Sequence, residues 1–331
     1  MASETYTQFG RDYLLTFKNL QNGQVFQIND LRCEFDISLY VDNKDKTSEA
    51  TISIYNLSRE TVNALGDKYG QIRFDVGYAG NLQSVVEGDT INVKTTRSGP
   101  DRITTFKLAP NFRNLAIKPI ALSFPEGVKL KDVVEVAAAE LQLAIEKSST
   151  KAAWQDIELP YGYTAYGTGK QVLDELARAY SIEYRIEFGV LKVNDKWTTS
   201  ERHETAILLS KETGMIDIPY VDTEQISKRV GSVLADNEQF VSIKQSFKKD
   251  GSPRKITKFK ARRYSLRVKA LINPSIRPNS LIKVQSDEYD AESNMSLGAY
   301  YRVRSVQFKG DTRGADWVMD IHGDTVEATE Y

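Results

Sequence analysis

Apolar residues along the first third of the chain recur with period 2. Leu31, Cys33, Phe35, Ile37, Leu39 and Val41 alternate with Arg32, Glu34, Asp36, Ser38 and Tyr40, the pattern of a strand with one buried face. The polar stretch Asp42 to Thr47 turns the chain into a second strand, Ala50 to Tyr55, and Ser58 is placed to cap a short helix from Arg59 to Leu65. Further strands are predicted at Gln71 to Tyr78, Ser84 to Thr95 and Asp101 to Leu108. Turns are expected at Gly77, Gly80 and Gly99-Pro100. Short strands with regular turns predict a barrel or a sandwich up to about residue 115.

The period then changes. Leu130, Val133, Val134, Ala137 and Leu141 fall at helical spacing, as do Val172, Leu173, Leu176 and Tyr180, with Thr168 placed to cap the second helix. Strands are expected at Glu183 to Glu187 and Val190 to Val193, joined around Phe188-Gly189. Residues 116–200 therefore read as a small α+β domain. Between its helices, Pro160-Tyr161-Gly162-Tyr163-Thr164-Ala165-Tyr166-Gly167 reads as a loop with exposed aromatics, either packed or holding a partner.

The remainder returns to sheet, with strands predicted at Ala206 to Leu209, Tyr264 to Ala270, Leu281 to Gln285, Tyr300 to Phe308 and Asp316 to His322. In the last, Trp317, Met319 and Ile321 form the apolar phase. Residues 222–262 are charged and weakly patterned, and read as an elaborated loop or extension. A faint echo links the two sheet blocks. Ile91 and Val93 lead through Gly99-Pro100-Asp101 to Thr105 and Phe106, as Tyr301 and Val303 lead through Gly314-Ala315-Asp316 to Trp317 and Met319.

Composition narrows the functional classes. Across 331 residues, 44 Lys plus Arg face 45 Asp plus Glu, so a global polyanion binder is excluded and any nucleic-acid contact is local. No apolar run approaches the roughly 18 residues of a membrane span, and the first residues lack the basic and apolar regions of a secretory signal. One cysteine, Cys33, leaves no internal disulfide and fits synthesis in a reducing cytoplasm.

Catalytic signatures are sparse. The two histidines, His203 and His322, have no His or Cys at ligand spacing, so neither metal nor cofactor is expected. Cys33 lies on the buried phase of its strand and reads as an inert core thiol. Phosphate-binding glycine loops and the Gly-x-Ser-x-Gly elbow are absent from the sequence. Asp311, Asp316, Asp320 and Asp324 are the remaining candidates, as a pair of glycosidase acids or a calcium site in the Gly310–Gly314 turn. The plainer reading is a hairpin turn with the polar phase of one strand, and no catalytic residue is assigned.

The most distinctive local feature is basic. From Lys244 to Lys269 there are 11 Lys and Arg against one acid, Asp250, with Phe247, Ile256, Phe259, Tyr264 and Leu266 interleaved, and Gly251-Ser252-Pro253 reads as the turn of a long hairpin. Such a ribbon serves an acidic protein partner, a solvated edge hairpin in which Lys deters aggregation, or nucleic acid. The candidate partner-binding residues are Lys248, Lys249, Arg254, Lys255, Lys258, Lys260, Arg262 and Arg263.

The order of several short motifs resembles the baseplate hub proteins of contractile phage tails, a family related to the hub parts of type VI secretion spikes. The opening strand is followed by Ala50-Thr51-Ile52-Ser53-Ile54-Tyr55-Asn56-Leu57-Ser58, Gly77-Tyr78-Ala79-Gly80, Glu87-Gly88 and Asp101-Arg102-Ile103-Thr104. Later come Thr213-Gly214-Met215-Ile216-Asp217-Ile218-Pro219 and Leu271-Ile272-Asn273-Pro274-Ser275-Ile276-Arg277-Pro278-Asn279, then Tyr300-Tyr301-Arg302-Val303 with Gly310-Asp311-Thr312 and Trp317. Asn279 stands where the family pattern has Gly, a change that tolerates positive φ, and 222–262 is longer than that pattern.

The resemblance implies a β-rich α+β chain. Two tube-like β-barrel domains, 1–115 and 201–331, flank a small inserted domain, 116–200, with the basic extension at about 222–262. It implies a structural protein and no enzyme: a homotrimer joining the hexameric tail tube to the central spike, in contact with tape-measure and other baseplate proteins. DNA passes only in transit and no membrane is involved. Such a protein is assembled in the bacterial host cytoplasm and resides in the virion tail baseplate. A hub of a phage-like secretion or killing particle, and a baseplate-associated glycan hydrolase, are the alternatives.

Overall fold

The computed structural model describes residues 10–41, 47–65, 70–146, 153–195, 206–227, 260–286 and 300–325. The first block holds β1 (Arg11–Asn19), β2 (Val25–Ile28), β3 (Cys33–Tyr40), β4 (Glu49–Tyr55), the short helix α1 (Arg59–Ala64), β5 (Gly70–Tyr78), β6 (Asn81–Ser98) and β7 (Asp101–Ala109). The middle segment follows with β8 (Pro119–Phe124), β9 (Val128–Lys129), α2 (Leu130–Glu140), β10 (Ala144–Ile145), β11 (Glu158–Leu159), β12 (Tyr163–Thr168), α3 (Gly169–Tyr180), β13 (Ile182–Glu187) and β14 (Val190–Asp195). The last block holds β15 (Ile207–Leu209), β16 (Tyr220–Ser227), β17 (Lys260–Leu271), β18 (Leu281–Val284), β19 (Tyr300–Asp311) and β20 (Trp317–Thr325).

Local chemistry explains the elements. In β3, Cys33, Phe35, Ile37 and Leu39 are all buried while their neighbours are not, as the alternation predicts. Ser58 accepts a hydrogen bond from the Thr61 amide and caps α1. Thr168 and Gln171 form a reciprocal capping box on α3, whose apolar face buries Val172, Leu173 and Leu176. Phe188 (φ 50°) and Gly189 (φ 75°) close the β13–β14 hairpin with two successive left-handed residues, the backbone a tight hairpin turn requires.

Three expectations are corrected. Pro160–Gly167 is not all loop, because Tyr163–Thr168 pairs along its whole length with β8. Only Ala165 of that run is buried, so the Gly and Tyr content looked like a turn. Residues 222–262 are not a loop at their ends: β16 and β17 pair from Tyr220↔Arg267 to Ser227↔Lys260. The expected turn at Gly251-Ser252-Pro253 lies outside the described residues. Finally, β6 is longer than predicted, running to Ser98.

The first and last blocks form one mixed sheet in the order β16-β17-β20-β19-β3-β4-β7-β6-β5-β1-β2, with β18 on β19 and β15 parallel to β18. Among the described residues this path does not close on itself. β19 joins β3 from Ser305↔Tyr40 to Asp311↔Glu34, and apolar residues of both blocks share one core that includes Phe35, Ile37, Phe74, Phe106, Val306, Phe308 and Trp317. The middle segment has a second core around Leu130, Val134, Leu141, Trp154, Leu173, Leu176 and Tyr184.

Within the sheet, four strands are repeated. β3-β4-β7-β6 is a hairpin followed by a hairpin, the second strand of each pairing with the other, and β16-β17-β20-β19 has the same order and antiparallel directions. The registers also coincide. The cross-sheet row Asp36–Thr51–Lys107–Asn92 has its counterpart in Tyr220–Arg267–His322–Ser305. Each repeat carries a bulge at the matching place on its last strand, at Ile91 between Thr90 and Asn92 and at Arg304 between Val303 and Ser305, and β6 has a further one at Val85 against β5. The two hairpins linked by the echo are thus a structural repeat, bent by an extra residue at the matching place, but its residues are offset from the echo: Ile91 matches Arg304 rather than Tyr301, and Phe106 matches Ile321 rather than Trp317 or Met319.

Candidate assembly surfaces

The junction of the two repeats is built by β3, β19 and the turn after it. Arg32 donates to both oxygens of Asp311 (Nε 3.3 Å, Nη2 2.8 Å) and to Glu34 (2.6 Å), and its guanidinium lies 4.5 Å from the Tyr55 ring centre. Tyr55 in turn donates to Glu34 at 2.7 Å. Burial pushes the Asp311 carboxyl up, but the hydrogen bonds from Arg32 and from the Arg313 amide outweigh it and hold it below its ordinary range. Arg11 of β1 reaches across to the carbonyls of Gly314 (2.6 Å), Ala315 (3.0 Å) and Asp311 (3.1 Å). The Arg32 side is open to water, so this network orients the turn more than it holds the sheet. Adhesion comes from Phe35, Ile37, Val306 and Phe308, each buried and contributing about 1.5–3 kcal/mol.

A second cluster ties the middle segment to the sheet. Arg302 pairs with Glu183 and also donates to Asn279. Arg277 donates to the carbonyls of Ser84 and Val85 on β6, and its guanidinium stacks 4.7 Å from the Phe188 ring centre. Burial lowers the Arg277 pKa against the opposing pull of Glu187. Glu187 pairs with Lys192 (3.0 Å) and Arg185 (3.4 Å). Its burial raises its pKa, but Arg185, Lys192 and Arg277 together bring it below the ordinary glutamate value. The Leu271–Asn279 motif thus clamps three parts of the chain, and Asn279 has the positive φ (72°) expected where the family pattern has Gly.

The candidates from sequence fare unevenly. Lys248, Lys249, Arg254, Lys255 and Lys258 lie outside the described residues, as does His203. Lys260, Arg262 and Arg263 fall on β17, opposite Ser227, Gln225 and Glu224. Cys33 is fully buried, and burial raises its thiol pKa well above the usual value. Asp311 is bound to Arg32, the main-chain carbonyl of Asp316 closes the turn by accepting from the Asp311 amide at 2.8 Å, and Asp324 is buried on β20. Among the described residues, no three His, Cys, Asp or Glu side chains are grouped to hold an ion, and no helix is long and apolar enough to cross a membrane.

Sequence reasoning did not single out Arg11, Arg32, Glu183 or Arg302. Their distant partners lie 119 to 305 residues away, and no local pattern reveals such pairs. Exposed apolar residues mark two further surfaces: Tyr161 and Tyr166 on the middle segment, which are 97% and 82% exposed, and Ile216, Ile218 and Tyr220 beside β16.

The sequence matches the family described as Baseplate hub gp41 over residues 16–227, more than half of the chain. The chain belongs to this baseplate hub family. No curated protein matches the sequence. Among solved structures, it is similar to the 43 kDa tail protein of prophage MuSo2 from Shewanella oneidensis (TM-score 0.57, 10% identity, covering 95% of this chain and 96% of that one). It is also similar to a tail protein from Neisseria meningitidis MC58 (TM-score 0.58, 12% identity, 96% and 97%). The Escherichia coli c3393 protein, a type VI secretion system component similar in structure to T4 tail proteins gp27 and gp5, shares the fold as well (TM-score 0.55, 12% identity, 90% and 74%). At these identities the likeness is one of fold, a β-rich fold common to phage tail proteins and secretion-spike proteins.

Proposed function

We propose that the chain is the trimeric hub of a contractile phage tail, an adapter that joins a hexameric tube to a central spike and lines the channel for DNA ejection. One observation carries this reading. A single polypeptide presents the same four-strand unit twice, in the same order and register and with the same bulge. A threefold ring meets a sixfold one only if each subunit offers two near-equivalent surfaces. In this reading the tube-like domains are 1–115 and 201–331, the segment 116–200 projects from the ring, and the cluster at Arg277 and Arg302 fixes its angle. The role is structural rather than enzymatic. The basic residues between Lys248 and Arg263 meet an acidic baseplate neighbour, and tape-measure protein and DNA contact the lumen in passing. Negative-stain imaging of the purified protein with its tube and spike partners tests this: rings with six similar lobes are expected, and persistent monomers would overturn it.

The fold shared with a type VI secretion component supports a second reading, a hub of a secretion or killing particle. Its physics is the same, without DNA cargo. Genes for capsid and packaging proteins beside this one would favour the phage. For a glycan hydrolase acting through the C-terminal aspartates, clearing of a peptidoglycan gel by the purified chain is the decisive observation.

A further inference from the structure

Two hairpin tips occupy matching places in the repeats and differ in chemistry. The matched cross-sheet rows set Arg97 in the place of Gly310 and Arg102 in that of Trp317. In the second repeat Gly310 pairs with Trp317, which is buried against Phe35. That turn is held by cations of this chain: Arg11 donates to the Gly314 and Ala315 carbonyls, and Arg32 binds the Asp311 carboxylate. In the first repeat Arg97 pairs directly with Arg102, so two guanidinium groups share one face of β6 and β7. Like charges placed opposite destabilise a sheet, and among the described residues neither has an acidic partner.

The tip presents this pair in a fixed frame. Gly99 (φ 57°) and Pro100 form a two-residue turn between Ser98 and Asp101. Asn56 brackets Arg102: its side-chain oxygen accepts from the Arg102 amide at 3.0 Å, and its own amide donates to the Arg102 carbonyl at 2.7 Å. The Asn56 side-chain amide also donates to Asp101 at 2.9 Å, which occupies the one acid of the hairpin. Along the same face the pairs run outward from the core. Phe106 is buried beside Val93, the Thr95 and Thr104 hydroxyls are hydrogen-bonded at 3.1 Å, and the arginines follow, with Arg97 exposed.

We infer that Arg97 and Arg102 form a carboxylate clamp that receives an acidic segment of a partner protein, one segment per chain. A carboxylate set between two guanidinium groups accepts charge-assisted hydrogen bonds from both, and it removes the repulsion that the empty pair carries. Charge complementarity brings such a segment to the hairpin, where four basic residues from Asn92 to Lys107 face the single acid Asp101. A nucleic-acid backbone fits less well, because it needs several cations along one track. Here the register divides them, with Arg97 and Arg102 on one face and Lys94 and Lys107 on the other. The contrast with the Gly310–Trp317 tip sets the stoichiometry: the clamp occurs once per chain and not once per repeat. The inference goes beyond the hub reading and needs no second copy of this chain.

The test titrates a fluorescein-labelled oligoglutamate peptide with the full chain at low salt and reads fluorescence anisotropy. Every protein in the series carries Lys248→Gln, Lys249→Gln, Arg254→Gln and Lys255→Gln, which weakens the acidic contact proposed above for that segment. This background should bind one peptide per chain. Adding Arg97→Gln with Arg102→Gln should weaken binding about tenfold or more, as the loss of charge-assisted hydrogen bonds does. Without peptide, Arg97→Gln alone should raise the urea midpoint, and the gain should vanish in high salt. A background that fails to bind, or binding untouched by the two glutamines, would overturn the clamp. So would a lower midpoint, which marks a structural role for Arg97. Duplex DNA held more tightly than the peptide, and released by the same two changes, would overturn the carboxylate in favour of phosphate. Comparing the background with the natural chain judges the Lys248–Lys255 contact separately.

Discussion

Arg302 of β19 and Glu183 of β13 form an ion pair across the boundary between the large sheet and the middle segment, with side chains only 4% and 13% exposed. It sits two residues before the Arg304 bulge. At the matching place in the other repeat, two residues before Ile91, Asp89 is also buried and binds Arg113 (amide 3.0 Å, guanidinium 3.0 Å), where the chain enters the middle segment. The same position in each repeat thus carries a buried charge that anchors the middle segment, acidic in one and basic in the other.

Removing one member of such a pair strands the other without water. Glu183→Leu and Arg302→Met are each expected to destabilise the protein by about 3–5 kcal/mol. The double change Glu183→Leu with Arg302→Met should cost less than either single change, since no charge is left buried. Urea midpoints of the four proteins measure this. Additive losses would mean that the two side chains act independently.

Acid should loosen the same boundary through Glu187. Its folded pKa lies below the ordinary value of 4.5, because Arg185, Lys192 and Arg277 outweigh its burial. A depressed carboxyl contributes stability that is complete above the unfolded pKa and is lost as pH falls through the folded one. Stability should therefore be level from pH 7 to about pH 5.5 and decline below about pH 4.5. Glu187→Gln should be less stable than the parent at pH 7, and the gap should narrow toward pH 3. Chemical denaturation across that range is the measurement, and a gap that widens on acidification would reverse the assigned shift.

Elements with strong local grammar were legible in the sequence. The strand through Cys33, Phe35, Ile37 and Leu39, the capped helix after Thr168 and the Phe188-Gly189 turn each follow from a few neighbouring residues. β12 was not, because Tyr163–Thr168 buries a single side chain, Ala165, and has no alternation to read. The union of the two blocks was not legible either. Arg32 and Asp311 stand 279 residues apart, and nothing near either names the other's strand as its neighbour. The repeat showed only as an echo because its conserved content is register and a bulge, which backbone hydrogen bonds specify and side chains barely record.

Gly310 is held to glycine by its neighbours across the sheet. It pairs with Phe35 on one side and Trp317 on the other, and a Cβ there would lie 2.2 Å from the Phe35 ring and 2.9 Å from Trp317. Phe35 cannot swing away, since it packs edge-on against both Phe74 (5.2 Å) and Trp317 (5.3 Å). Gly310→Ala is expected to cost about 1–3 kcal/mol by overpacking, read as a lower urea midpoint. Gly310→Ala with Phe35→Leu should recover part of that loss, which a purely backbone effect would not.

Asn279 carries two duties, and substitutions can separate them. Its φ of 72° lies in the left-handed region, and its side-chain oxygen accepts from Arg302 while its amide donates to the Val303 carbonyl at 2.6 Å. Asn279→Gly keeps the backbone conformation and loses the side chain's polar contacts, among them the acceptor for Arg302, which for a charged donor costs about 1.5–3 kcal/mol. Asn279→Ala loses the acceptor and adds about 1–2 kcal/mol of left-handed strain. The expected order of stability is the parent, then Gly, then Ala, measured by thermal or urea unfolding. If the Gly variant matches the parent, Arg302 is satisfied by Glu183 alone, and Asn stands in for the family's Gly for its conformation only.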